Sequence, residues 1–240
     1  MEQHTAIKHR KKKILAALLL AAICLCPAVG CGQHEPAQAQ TSGSAPAQTP
    51  TPGTDPAQTP TPEPDAGCDA LFYGDSITAG GNFGDFFPGL RVVNLGINGA
   101  TLEDLTEWVP RVSANHPDKI FVMAGGNNLN AENVEHCTEL FRGLLDALRE
   151  ACPYAEIFIE SMLPLDKAVA YGWNCPNRIV RTYNGRLEAL AEEYGLTYLD
   201  IYPAYEYRGG LNGEMTEDGI HLKDGAFGPW AEIVRPYLEN

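Results

Sequence analysis

Residues from about Cys68 to Asn240 predict an α/β domain with a mostly parallel, five-stranded sheet. Three observations carry that expectation. Short apolar runs of strand length alternate with longer stretches whose apolar residues recur at helical spacing. Glycine, asparagine, serine and histidine cluster just after the apolar runs, at what would be the carboxyl ends of strands. Residues 32–67 are nearly free of the large apolar residues that a core requires.

The chain begins with a basic segment carrying Lys8, Arg10, Lys11, Lys12 and Lys13. An apolar run from Ile14 to Val29 follows, interrupted by Pro27, and ends at Gly30-Cys31. A charged start, a short apolar middle and small residues before a break read as an export signal over residues 1–31. The run is too short for a permanent transmembrane helix. Ala28-Val29-Gly30-Cys31 resembles the lipobox of bacterial lipoproteins, which implies acylation of Cys31 and anchorage outside a bacterial membrane. Residues 32–67 are rich in Pro, Thr, Gln and Ala and contain a repeat, Pro46–Pro52 recurring as Pro56–Pro62. That composition reads as an extended tether.

After the export segment, 12 Lys and Arg face 30 Asp and Glu, a net charge of −18. Such an acidic chain lacks the basic footprint of a nucleic-acid binder. Cys68, Cys137, Cys152 and Cys175 would remain in the exported domain, enough for two disulfides whose pairing the sequence leaves open.

Within the domain, Ala70 to Tyr73 is the first expected strand and Arg91 to Leu95 the second. Thr101 to Ala114 reads as one helix, its apolar stripe formed by Leu102, Leu105, Val109 and Val112. Thr101 and Asp104 supply the signature of a capping box. Lys119 to Ala124 is the third strand, and a helix is expected from Ala131 to Ala151, closed by Pro153. Glu156 to Glu160 forms the fourth strand, and Pro176 to Tyr194 a helix ended by Gly195. Thr197 to Ile201 is the fifth strand, and a last helix spans about Ala226 to Leu238.

In open α/β sheets ligands bind beyond the carboxyl ends of the strands. Ser76 follows strand one in Gly74-Asp75-Ser76, Gly96 to Gly99 follow strand two, and Asn127 follows strand three. A serine becomes a nucleophile at neutral pH when a base takes its proton, and histidine is the usual base. His116 precedes strand three, at the opposite edge, and His136 falls on a helix surface. His221 lies beyond strand five with Asp218 three residues before it, close enough to orient its ring. Glycine amides near Gly99 and the side-chain amide of Asn127 are candidate donors to a developing oxyanion.

Taken in order, Gly74-Asp75-Ser76, the Gly99 segment, Gly125-Gly126-Asn127-Asn128 and Asp218-Gly219-Ile220-His221 resemble the four blocks of the SGNH (GDSL-type) hydrolases. The resemblance implies a flavodoxin-like three-layer sandwich and a carboxylic ester hydrolase. Ser76 would be the nucleophile, His221 the general base and acid, and Asp218 its orienter. Ser76, Gly99 and Asn127 would form the oxyanion hole. Gly99, which precedes Ala100-Thr101, fits the block better than Gly96.

No metal or cofactor is implied. In the third block this chain has Asn128 where the family usually has Asp, which bears on one local hydrogen bond. The nucleophile elbow Gly-x-Ser-x-Gly is missing, because position 78 is Thr. The expected partner is an acylated small molecule or polysaccharide, with O-acetyl esters of carbohydrate first. Lipid or thioester acyl hydrolysis is the alternative, and a glycan-binding module without catalysis ranks below both. Tyr171 and Trp173, and also Tyr202, Tyr205 and Tyr207, are aromatic candidates for a sugar platform, though packing accounts for most of them.

Overall fold

A computed structural model describes residues 67–239. The expected export signal, the lipobox Cys31 and nearly all of the tether lie outside the described residues. β1 (Ala70–Gly74), β2 (Val92–Gly96), β3 (Lys119–Met123), β4 (Glu156–Glu160) and β5 (Thr197–Leu199) form one sheet. Its order is β2-β1-β3-β4-β5, and every neighbouring pair is parallel. This is the flavodoxin-like order, in which the chain changes direction of winding between β1 and β3.

The helices fill both faces. α1 (Ser76–Ala79) follows β1; α2 (Leu102–Glu107) and α3 (Val109–Ser113) lie between β2 and β3. α4 (Val134–Ala151) precedes β4, α5 (Lys167–Gly172) and α6 (Asn177–Tyr194) precede β5, and α7 (Tyr202–Tyr205) follows it. A small antiparallel pair, β6 (Glu206–Tyr207) and β7 (Gly210–Leu211), leads toward α8 (Gly228–Val234).

Alternation along the strands sorts the core into two layers. Leu71, Tyr73, Ile120, Val122, Ile157 and Ile159 point to an aliphatic layer with Leu102, Phe141, Leu144 and Leu187. Phe72, Phe121 and Phe158 point the other way, toward Phe83, Phe227 and Trp230. There the rings stack across the sheet: Phe83 on Phe72 at 3.7 Å between centroids, Phe72 on Phe121 at 5.0 Å, Phe121 on Phe158 at 4.6 Å. Trp230 meets Phe83 edge-on at 5.0 Å. Such pairs add about 0.5–1.5 kcal/mol each beyond burial.

Several element boundaries differ from the sequence expectation; β5, for instance, ends at Leu199 and not at Ile201. The helix expected over 101–114 breaks at Trp108 into α2 and α3, because Pro110 has no N–H to continue the ladder. Its start is as expected, with Thr101 and Asp104 capping reciprocally. α4 begins at Val134, not Ala131, since asparagine side chains hold residues 130–133 as a turn. Asn133 Oδ1 accepts from Asn130 N–H (2.8 Å), and Asn130 Oδ1 accepts from Glu132 N–H (2.9 Å). The last expected helix is α8 followed by a 3₁₀ turn over Arg235–Tyr237. Among the described residues Cys68, Cys137, Cys152 and Cys175 are all buried free thiols, so no disulfide is formed between them.

Candidate active site

The site grows out of the end of β1. Residue 74 must be glycine, because a β-carbon there would lie 2.1 Å from the Met123 carbonyl oxygen on the adjacent strand. Asp75 then caps α1, its buried carboxylate accepting from Ile77 N–H at 3.1 Å. Burial pushes that carboxyl up to about 6, even though the backbone N–H groups of Ile77 and Gly126 donate to it. Ser76 sits in the first turn of α1, where its N–H has no intrahelical acceptor.

Across 145 residues of chain, Ser76 Oγ and His221 Nε2 stand 2.8 Å apart. The other ring nitrogen, Nδ1, lies 2.6 Å from Asp218 Oδ2. Asp218 Oδ1 accepts from the backbone N–H groups of His221 (2.8 Å) and Ile220 (2.9 Å). Partial burial opposes the charge on Asp218, but donors from the His221 ring and these two backbone groups outweigh it. They hold the carboxyl well below the usual range, so it stays ionised. A hydroxyl, an imidazole and a carboxylate in series at these distances can pass a proton from oxygen to nitrogen.

Of the candidate oxyanion donors, Asn127 lines the cavity at Ser76, and Gly99 is next in sequence to Ala100, to which Asn127 is hydrogen-bonded. Gly99 adopts φ +74°, a conformation glycine takes without strain, in a turn closed by Ala100 N–H donating to the Ile97 carbonyl at 3.1 Å. Among the described residues nothing accepts from Gly99 N–H. Gly96 N–H, by contrast, is taken up by Asn94 Oδ1 at 2.8 Å. Asn127 Nδ2 donates to the Ala100 carbonyl at 2.9 Å, which fixes the amide and leaves its second N–H for a ligand.

Asn128 performs a task that needs no acid. Its Oδ1 accepts from Leu102 N–H (2.8 Å) at the start of α2, and its Nδ2 donates to Glu103 (2.8 Å). His116 lies beside Pro117 and Cys152 at the amino edge of the sheet, and His136 is exposed on α4, so neither approaches Ser76.

Ser76, Asn127 and His221 open onto a cavity of about 70 Å³ whose apolar lining includes Met162, Leu163, Leu165, Trp173, Cys175 and Ile220. Of these, sequence reasoning singled out Trp173 alone. Residues 162–165 directly follow β4, so their position past a strand end was the available signal. Cys175 is no rival nucleophile, because burial raises its thiol. Tyr202 and Tyr205 are buried packing residues, and the Tyr205 hydroxyl accepts from Trp230 N–H at 3.1 Å. Tyr171, Trp173 and Tyr207 are exposed.

Residues 72–225 match the family model described as GDSL-like lipase/acylhydrolase. The chain belongs to that family. Solved structures share the fold of this GDSL-like acylhydrolase. A Streptococcus pneumonia protein named for platelet activating factor is 23% identical, covering 72% of this chain and 85% of its own, with TM-score 0.63. A GDSL-like lipase from Bacteroides thetaiotaomicron is 20% identical over 71% and 87%, at 0.61. An acetylxylan esterase from Geobacillus stearothermophilus, solved as a catalytic serine-to-alanine mutant, is 19% identical over 72% and 94%, at 0.56. No curated protein sequence matches the chain.

Proposed function

We propose that this acylhydrolase is a serine esterase that removes acetyl groups from carbohydrate through an acyl-enzyme. The observation that carries the reading is the unbroken series Ser76 Oγ, His221 Nε2, His221 Nδ1 and Asp218 Oδ2, at 2.8 and 2.6 Å. In the first step His221 Nε2 takes the Ser76 proton as Oγ attacks the ester carbonyl. Asp218 keeps the ring in the orientation that accepts at Nε2 and stabilises the imidazolium. The N–H groups of Ser76 and Gly99, with Asn127 Nδ2, receive the negative charge on the carbonyl oxygen. His221 then returns the proton to the leaving alcohol and activates water for deacylation.

The small cavity supports a short acyl group. Its volume is about 70 Å³, and Met162, Leu163 and Leu165 are among the residues that line it. Exposed Trp173 at its mouth supports a sugar as the alcohol portion. The acetylxylan esterase with this fold has catalytic mutants at a serine and at a histidine, which agrees with the roles given to Ser76 and His221.

A series of p-nitrophenyl esters from acetate to decanoate tests the acyl preference. The expected result is a sharp maximum in kcat/KM at acetate; a rate that rises with chain length would favour the lipid reading instead. Ser76→Ala should lower kcat on the acetate ester by about 10⁶-fold with the fold intact. Retained turnover would refute the nucleophile. The same proposal places the enzyme outside the cell on a lipidated Cys31, so fatty-acid labelling should vanish in Cys31→Ser.

A further inference from the structure

A second, larger concavity opens on the far side of one wall of the acyl cavity. The wall is the segment between α5 and α6. Trp173 and Cys175 face the acyl cavity, whereas Asn174 and Pro176 line the second groove, which has a volume of about 760 Å³. Lys167 enters this groove from the start of α5, and Arg178 and Arg181 enter from α6. The two arginines are three residues apart and therefore share a helix face. The groove lining contains these three cations and no carboxylate.

That composition runs against the rest of the domain, where residues 67–239 carry 12 Lys and Arg against 26 Asp and Glu. Outside the groove Arg142 pairs with Glu139 and Glu193, Arg186 with Glu135, and Arg235 with Glu232 and Glu239, whereas Arg91, Arg111, Lys119, Arg149, Arg208 and Lys223 form no ion pair among the described residues. Among the described residues Lys167 and Arg178 have no such partner. Arg181 Nη1 donates to the Tyr202 hydroxyl at 3.1 Å, which steadies the guanidinium without neutralising it. Asp200 and Glu206 act on Tyr202 electrostatically, but neither lines the groove.

The walls are held in place. Asn177 is buried, its Oδ1 accepting from Leu165 N–H (2.8 Å) and its Nδ2 donating to the carbonyls of Leu165 (2.7 Å) and Gly209 (3.1 Å). Tyr171, 89% exposed, stands at the rim as an aromatic face for a ring to lie on.

We propose that this groove binds an anionic group of the saccharide next to the acetylated sugar, making the substrate an acidic, O-acetylated glycan. The inference rests on the esterase reading of Ser76. A sugar carboxylate and a sugar phosphate offer the same oxygens to these cations, and the arginine forks suit both. Concave walls focus the positive potential, and the negative remainder of the surface disfavours other placements of an acidic chain. Groove and acyl cavity share a wall, so a chain crossing Trp173 could present its ester to Ser76 with the neighbouring anion in the groove.

The test is calorimetric binding to the full chain carrying Ser76→Ala. The probes are an unesterified oligogalacturonate, a polyol-phosphate oligomer and a neutral xylo-oligosaccharide of equal length. One anionic probe should bind at least about tenfold more tightly than the neutral one, with the advantage shrinking between roughly 50 and 300 mM salt. Its identity then distinguishes carboxylate from phosphate. Lys167→Ala with Arg178→Ala should abolish most of the advantage, while Arg178→Lys, which keeps the charge, should retain more of it. Equal binding of the three probes, or an anionic advantage undiminished in the double variant, would overturn the inference. These measurements involve no turnover, so they stand apart from the wild-type assay on acetate esters, whose failure would sink the esterase reading itself.

Discussion

Two carboxylates at opposite ends of the accessibility scale show how differently two regions of this molecule are built. Asp218, in the loop beside Ser76, has a half-exposed side chain and is surrounded by donors. Glu160, at the end of β4 in the aromatic layer, is buried, and Trp230 Nε1–H is its one donor, at 2.5 Å. Its second oxygen has no partner, and burial pushes the carboxyl up to about 8. Donors keep the first group charged; their scarcity keeps the second protonated at neutral pH. One region is organised for chemistry at the surface and the other for holding two layers together.

Substitutions can separate the two. Asp218→Asn should lower kcat by on the order of 10⁴-fold on an acetate ester, because the imidazole loses its orienting acceptor, while the melting temperature hardly moves. Trp230→Ala should do the reverse. Loss of a buried indole costs about 3–5 kcal/mol in chemical denaturation, and the kcat of whatever remains folded should be near normal. Asn127→Ala should reduce kcat by about 10²–10³-fold with KM little changed, since in the proposed mechanism the lost donor serves the transition state.

The smallest effect concerns pH. Glu160 has a folded-state value raised to about 8, so its contribution to stability is complete below its ordinary carboxylate range and is lost as pH rises through 8. Urea unfolding at pH 5 and pH 9 should therefore show a fall that Glu160→Gln reduces by about 1–3 kcal/mol. Asp218 has the opposite sign, its value being lowered, and its contribution is lost only on strong acidification. Equal pH dependence in wild type and Glu160→Gln would remove the contrast on which this comparison rests.

The contrast also explains what could be read from the sequence. Ser76, Asn127, Asp218 and His221 lie in short peptides whose glycines and polar residues mark strand ends, so local pattern and position together located them. Strand identity was equally legible, because the strands coincide with short apolar runs of strand length. Met162, Leu163 and Leu165 were not recognisable as cavity residues, since an apolar side chain facing a cavity looks like one facing a core. Lys167, Arg178 and Arg181 come from two helices, and only the fold shows that they share a groove. The break at Trp108 was missed although Pro110 was visible, because the apolar stripe continues through it. Glu160 reads as an ordinary exposed strand end until Trp230 is seen to cover it.

The Asp218–His221 contact joins two residues of one tight loop, whereas the Ser76–His221 contact bridges 145 residues and joins that loop to the start of α1. The proposed base and its orienter consequently travel as a unit. Any loosening of the loop that carries them lengthens the serine–histidine separation while leaving the histidine–aspartate one nearly unchanged. The enzyme should then lose turnover before it loses structure on heating, with the Ser76–His221 hydrogen bond as its weakest mechanical joint.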